Sequence, residues 1–155
     1  ESAQMKSTAH WLHLLWSNNK DLTDFKRVRD AKAWLLENTD PVLHPPYSMT
    51  HVRHPCTLWV SSTVENYMWH YDLLFYLCKE YTKRYGKIHK TANYLSWFKN
   101  NIPQGMKSSN LEDFVICMKE EYKINEDAVA SYRNYYKKDK IRFAKWKYSE
   151  RPSWF

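Results

Sequence analysis

Val64, Tyr67, Tyr71, Leu74, Cys78, Tyr81 and Tyr85 recur at alternating three- and four-residue spacing, and this run constrains the fold more than any other feature of the chain. A period near 3.6 residues puts all of them on one stripe of an α-helix, whereas a strand would scatter them over both faces. Ahead of the run, Ser62-Thr63-Val64-Glu65 matches a capping box, which satisfies the free amides of a helix start. Behind it Gly86 supplies the stop, so the pattern predicts a long core helix from Ser62 to Tyr85.

The remaining segments follow the same period. Trp11, Leu12, Leu15 and Trp16 give a first helix over Glu1 to Trp16, and Phe25, Val28, Ala31, Trp34 and Leu35 a second over Thr23 to Glu37. Pro41, Pro45, Pro46 and Pro55 then bracket a segment to which prolines deny both helix and central strand, leaving a long irregular connection. Thr91 to Asn100 reads as a shorter helix, Phe114 to Tyr122 as helix or strand, and Asn125 as the cap of a last helix reaching Lys138, bent before Ile141 to Tyr148. SERPSWF reads as an extended tail that packs Trp154 and Phe155 onto the body. No strand alternation and no repeat is present, so the expectation is an all-α single domain over residues 1–155, with about five or six helices. Because the opening residues already read as a helix in progress, a short native segment ahead of Glu1 is expected.

Composition narrows the function classes. Only Gly86 and Gly105 are glycines, which removes the phosphate-cradling loops of P-loop and dinucleotide-binding proteins. Cys56, Cys78 and Cys117 are odd in number, widely spaced and without a CxxC pair, so neither a disulfide framework nor a cysteine zinc site is indicated, and a cytoplasmic setting is expected. No apolar run is long enough to span a membrane and no signal peptide is present, so no membrane partner is expected.

Charge points to a partner. Ser131 to Tyr148 holds seven Lys or Arg against one Asp, a local +6 within a chain of formal charge +7. Tyr132, Tyr135, Tyr136, Phe143, Trp146 and Tyr148 are threaded through these cations, the mixture that neutralises phosphates and offers flat faces to bases. Tyr132, Tyr135, Tyr136, Phe143 and Trp146 equally fit the buried stripe of an amphipathic helix, which is compatible if the cations line its outer face. Arg133, Lys137, Lys138, Lys140, Arg142 and Lys145 are the candidate backbone contacts, with Tyr136 and Trp146 as stacking platforms. Arg84, Lys87 and Lys90 form a second patch at the end of the long helix. DNA is therefore the expected partner.

Groups capable of proton transfer are fewer. His51, His54 and Cys56 crowd the proline-bounded loop, but HxxH in a loop lacks the same-face geometry of a helical metal motif, so no metal or other cofactor is expected. Glu80 lies four residues before Arg84, an arrangement that suits either a poised carboxylate or a surface ion pair. His51, His54 and Glu80 are the candidate catalytic residues, and His10 on the first helix is either a core group or a neighbour of the same pocket.

ESAQMKSTAH, THVRHPCTLWV, ENYMW, LCKEYTKRYGKIHK and YRNYYKKDKIRFAKWKYSERPSWF together resemble a family of small proteins encoded by tailed bacteriophages, over nearly the whole chain. Where members of that family carry a label, it is pyrimidine dimer DNA glycosylase of the endonuclease V kind. The matching positions are Gln4, His10, His51, His54, Trp59, Asn66, Tyr67, Trp69, Glu80, Arg84, His89, Arg133, Lys145 and Trp146. The resemblance implies a phage setting and work on DNA bases. Two departures accompany it: the family pattern carries a segment rich in Asp, Lys and His ahead of ESAQM, and KDLTDFKRVRDAKAWLLENTD is longer than the corresponding family loop. An endonuclease V-like glycosylase uses an N-terminal amine as nucleophile, a role this sequence does not assign to Glu1. The expectation is a DNA-binding protein that excises or modifies a pyrimidine base, with an enzyme of phage thymine hypermodification or a non-catalytic binder of nucleic acid or a host factor as alternatives.

Overall fold

The first helix, α1 (Ser2–Ser17), is enclosed on almost every side, and eleven of its residues are buried, Ser7, Thr8, His10 and His13 among them. A computed structural model describes the whole chain, Glu1–Phe155, and around α1 it sets α2 (Val28–Asn38), α3 (Pro55–Ser62), α4 (Val64–Tyr85), α5 (Leu95–Asn100) and α6 (Ala128–Tyr135). There is no β-strand, only one isolated bridge between Thr63 and Lys107, so the all-α expectation holds for a single compact body.

Three apolar clusters radiate from α1. Trp11 and Leu15 pack with Ala31, Leu35 and Met49 toward α2; Ala9 packs with Trp59, Val60 and Tyr67 toward α3 and α4; Ala3 packs with Tyr71, Leu74, Cys78 and Phe98 toward α4 and α5. Burying hydroxyls on the same helix is tolerable because each meets the proline-rich connection. Thr8 Oγ1 donates to the Thr50 carbonyl (2.6 Å) and accepts from the Thr50 N–H (3.0 Å), Ser7 Oγ accepts from the Tyr47 N–H (3.2 Å), and Trp11 Nε1 donates to the Tyr47 carbonyl (2.9 Å). Polar groups of α1 thus satisfy the backbone at Tyr47 and Thr50, where the connection has no secondary structure to do so.

Several local expectations shift. The second helix begins at Val28 rather than Thr23, behind a 3₁₀ turn at Leu22–Asp24. Pro55 does not close the irregular connection but opens α3, where its missing N–H and fixed φ suit the first helical position. That extra helix moves the cap of α4 by one residue: the Thr63 hydroxyl accepts from the Asn66 N–H (3.1 Å), while Glu65 turns away to bind Ser108 Oγ (2.6 Å) and the Ser109 N–H (2.8 Å). At the far end Gly86 takes the left-handed conformation (φ 64°) and donates to the Thr82 carbonyl (2.8 Å), as expected of a helix stop. Phe114 to Tyr122 is neither helix nor strand but extended chain ending in a 3₁₀ turn, Glu120–Tyr122. Asn125 is left-handed (φ 48°), and the cap of α6 is Asp127, whose carboxylate accepts from the Ala130 N–H (2.9 Å). α6 is short and runs into a π-helical turn, Tyr136–Lys140.

The extended segment is not loose. Asn66, fully buried on α4, donates to Trp59 O (3.0 Å), Ser62 Oγ (2.9 Å) and Glu112 Oε2 (2.7 Å) and accepts from the Glu112 N–H (3.0 Å). One amide therefore ties α3, α4 and the chain leading to Phe114 together.

Candidate functional site: an aromatic cavity with two arginines

Between the start of α1, the middle of α4 and the whole of α6 lies a cavity of about 520 Å³, the size class of small-molecule sites. Trp69, Phe114, Tyr132, Tyr136, Trp146 and Trp154 wall it, Met5, Leu73 and Val129 add aliphatic surface, and Cys56 and His70 line it as well. Two cations line it, Arg84 and Arg133, and no Asp or Glu does.

The walls are held by one another. Trp69 and Phe114 have ring centroids 4.9 Å apart and Phe114 and Tyr132 5.7 Å apart, and Trp59 supports both Trp69 (5.6 Å) and Phe114 (5.0 Å) from behind. The tail closes the opposite side, with Trp154 against Tyr136 (6.3 Å) and Phe155 against Trp146 (4.6 Å), as the sequence suggested for SERPSWF. The Arg84 guanidinium lies 5.2 Å over Trp146 and that of Arg133 5.5 Å over Trp154. Arg84 is held by Glu80 (2.6 Å), whereas Arg133 is exposed and makes no ion pair, so its charge is free for an incoming anion. The Tyr148 N–H donates to the Arg84 carbonyl (3.2 Å), which joins the two basic segments of the sequence at this cavity.

Two polar atoms at the cavity lack partners within the chain, His70 Nδ1 and Trp146 Nε1. Burial lowers the pKa of His70 to about 3, helped by the charge of the neighbouring Lys6, so the imidazole is neutral at any physiological pH. Lys6 itself is fully buried on α1, donating to the Tyr67 carbonyl (2.8 Å) with Nζ 3.1 Å from the Tyr67 ring centroid. Its pKa is pushed well down by desolvation, against a weaker upward pull from Asp72. His10 is a core group: its Nε2 bonds the Tyr67 hydroxyl (2.8 Å), its ring packs on Trp97 (4.7 Å), and burial lowers its pKa to about 3.

The proposed acid–base residues do not meet at this cavity. His51 is exposed with φ 55°, bonded to Thr50 Oγ1 (3.1 Å), and with His54 it borders a separate depression beside Leu22, Phe25 and Arg27. His54 caps α3, its Nδ1 accepting from the Cys56 N–H (3.2 Å), and its Nε2 faces Cys117 Sγ (3.5 Å). Glu80 is the ion-pair partner of Arg84 and bonds neither histidine. Among the candidate phosphate contacts, Lys87, Lys90, Lys137, Lys138, Arg142 and Lys145 are exposed without ion pairs, while Lys140 is paired with Asp139 (3.2 Å). Tyr136 is 41% exposed and Trp146 partly so, which leaves ring surface accessible at both.

Residues missed by sequence reasoning are Lys6, His70, Phe114 and the Cys56–Cys117 pair. Lys6 and His70 sit at helical spacing from apolar positions, Lys6 between Ala3 and Ala9 and His70 between Tyr67 and Leu74, and charged or polar residues on a core stripe are the available signal. Burial pushes the Cys56 thiol up to about 11, with the charge of Cys117 adding to it. No protein-family model, no curated protein and no solved structure matches the chain.

Proposed function

We propose that the protein binds DNA along its basic face and accepts a single displaced base in the aromatic cavity, where a pyrimidine is released or modified. The observation that carries this reading is the convergence of Arg84, from the end of α4, with Arg133, Tyr136 and Trp146, from the cationic C-terminal stretch, on one acid-free aromatic cavity. Aromatic walls stack a planar ring whatever its edge, and chemistry on a duplex base requires that the base leave the stack. The unpaired Arg133 suits the phosphate that travels with the base, and Lys137, Lys138 and Lys145, exposed on the same stretch of chain, suit its neighbours.

The test is binding of labelled single- and double-stranded DNA over a salt series, with wild type, Arg133→Gln and Tyr136→Ala, followed by incubation with undamaged, ultraviolet-irradiated and phage-modified DNA. Wild type should lose affinity steeply with salt, Arg133→Gln should flatten that slope by about one unit, and Tyr136→Ala should weaken binding by about 1–3 kcal/mol. Base release or strand scission identifies an enzyme, and binding without base chemistry identifies a non-catalytic DNA binder. Absence of binding at low salt refutes the nucleic-acid reading, and saturable binding of free nucleotides alone moves the cavity to small-molecule chemistry.

A further inference from the structure

His54, Cys56 and Cys117 bring one nitrogen and two sulfurs together, with ligand atoms all within 4.8 Å of one another, although His54 and Cys117 stand 63 positions apart in sequence. We propose that these three side chains form a binding site for a soft divalent metal ion, zinc foremost, with two thiolates and one imidazole as ligands and a fourth position open.

The distances suit that ion. Zinc–sulfur bonds of about 2.3 Å and zinc–nitrogen bonds of about 2.05 Å at a tetrahedral angle set sulfur and nitrogen about 3.6 Å apart. Cys117 Sγ and His54 Nε2 stand 3.5 Å apart in the folded chain. Two sulfurs on one zinc stand about 3.8 Å apart, and since no two ligand atoms are farther apart than 4.8 Å, the two sulfurs need close by no more than about 1 Å, within reach of a side-chain rotation. Thiolate and imidazole are a donor set that selects zinc over magnesium or calcium.

The frame is built before any metal arrives. His54 and Cys56 are fixed at the cap and second residue of α3, with Pro55 locking the turn between them. Cys117 comes from the extended segment, and Tyr132 on α6 holds that segment by accepting from the Cys117 N–H (3.4 Å) and donating to the Val115 carbonyl (3.1 Å). All three ligands are half-buried, which leaves an entry path. Each thiol loses one proton on binding. The imidazole proton moves from Nε2, where the bond from the Cys56 N–H to Nδ1 now requires it, to Nδ1. That bond is then given up, and the Cys56 amide, at the half-buried helix start, turns to water. Since Cys56 also lines the aromatic cavity, the ion stands at the cavity edge. Three protein ligands with an open fourth position are the arrangement of a zinc that carries a water or a substrate atom. The site stands independently of the DNA reading.

The experiment titrates cobalt(II) into the reduced full chain, kept in a thiol-free phosphine, and reads the near-ultraviolet thiolate-to-cobalt band and the visible bands of a tetrahedral ion. One ion per chain, displaced by zinc, is expected, and Cys78→Ala should leave the spectrum unchanged. Cys56→Ser and Cys117→Ser should each lower cobalt affinity by about a hundredfold or more, since losing even an outer-shell contact costs about 10–100-fold. His54→Asn removes the ligand while keeping a residue that caps well, and should do the same with α3 intact. Should a serine variant misfold by circular dichroism, alkylation of wild type read by peptide mass spectrometry decides: zinc should protect Cys56 and Cys117 together. A wild-type chain without the thiolate band, a band that survives either serine variant, or alkylation indifferent to zinc overturns the proposal.

Discussion

Replacing Lys6 with methionine should stabilise the protein at neutral pH, by an amount that shrinks as pH rises. Lys6 is fully buried with no carboxylate in ion-pair range, and its amine has one hydrogen bond, to the Tyr67 carbonyl. Desolvation holds its pKa well below that of a free lysine. The unfolded chain therefore binds a proton that the folded chain resists, and stability rises with pH up to the unfolded value of about 10.4 and falls as pH drops below it. At pH 7 the penalty is capped at about 4.6 kcal/mol, because a free lysine lies about 3.4 units higher and each unit is worth about 1.36 kcal/mol. Lys6→Met keeps the length of the side chain and removes that penalty, at the loss of one hydrogen bond of about 1 kcal/mol and an aromatic contact of about 1 kcal/mol. The net expectation is a gain of about 1–2.5 kcal/mol at pH 7, or a Tm higher by roughly 2–10 °C for a chain of this size. Urea unfolding followed by tryptophan fluorescence at pH 7, 8 and 9 measures the difference between variant and wild type, in which the other titrating groups cancel. The difference should fall by as much as about 1.4 kcal/mol per pH unit. A gap independent of pH, or a variant less stable than wild type by more than about 2 kcal/mol at every pH, would refute the account of Lys6 as a desolvated amine.

Other perturbations test the frame around the cavity. Glu80→Gln removes the anion that engages Arg84 (2.6 Å) and should tighten DNA binding a few-fold in a salt-dependent way; loss of base chemistry with binding intact would instead give Glu80 a catalytic part. Thr63→Ala deletes the cap of α4 and should lower stability by about 1 kcal/mol in urea unfolding, with Thr63→Ser recovering most of it. Asn66→Leu strips the buried amide that holds Trp59 O and Glu112, and should cost about 2–4 kcal/mol. It should also raise hydrogen exchange across residues 110–115, read by mass spectrometry, because Phe114 loses its anchor; unchanged exchange there would show that the segment is held by its aromatic contacts alone.

Periodicity made the helical frame legible where residues repeat against one flat partner. The stripe from Val64 to Tyr85 gave α4 nearly to its ends because its core face is buried from Tyr67 to Cys78 against α1, α3 and α5, and Tyr81 continues the row against Tyr85 and His89. α1 was harder to read in detail: it is buried all round, so Lys6, Ser7, Thr8 and His10 lie inside despite their polarity, each answered by a partner from far along the chain. α3 was hidden by Pro55, which opens a helix as readily as it breaks one, and the right choice depended on the His54 cap that only the folded loop provides. For the cavity, the cationic stretch and the patch after α4 were visible in sequence, but their meeting was not, because it depends on the turn beyond α6 that brings Trp146 over Arg84 and Tyr148 beside Gly86. Cys56 and Cys117 looked unrelated for the same reason: Phe114 to Cys117 carries no periodic signal, and its position is set by Asn66 and Tyr132 instead.

These placements give the cavity a graded electrostatic character. At its inner end His70 is held neutral by burial, and behind it Lys6 and His10 are pushed toward their uncharged forms by the same cause. The two cations, Arg84 and Arg133, stand farther out, with their guanidiniums resting on indole faces. A ligand with a flat, uncharged ring and an anionic group attached to it would meet complementary surroundings at both ends, the ring desolvated against aromatics and the anion kept where water and cations are available. An ammonium or a free aliphatic acid would satisfy only one end. Among common cellular chemistries a nucleotide unit has both features, which is the physical reason to test bases on a phosphate chain before any other ligand class.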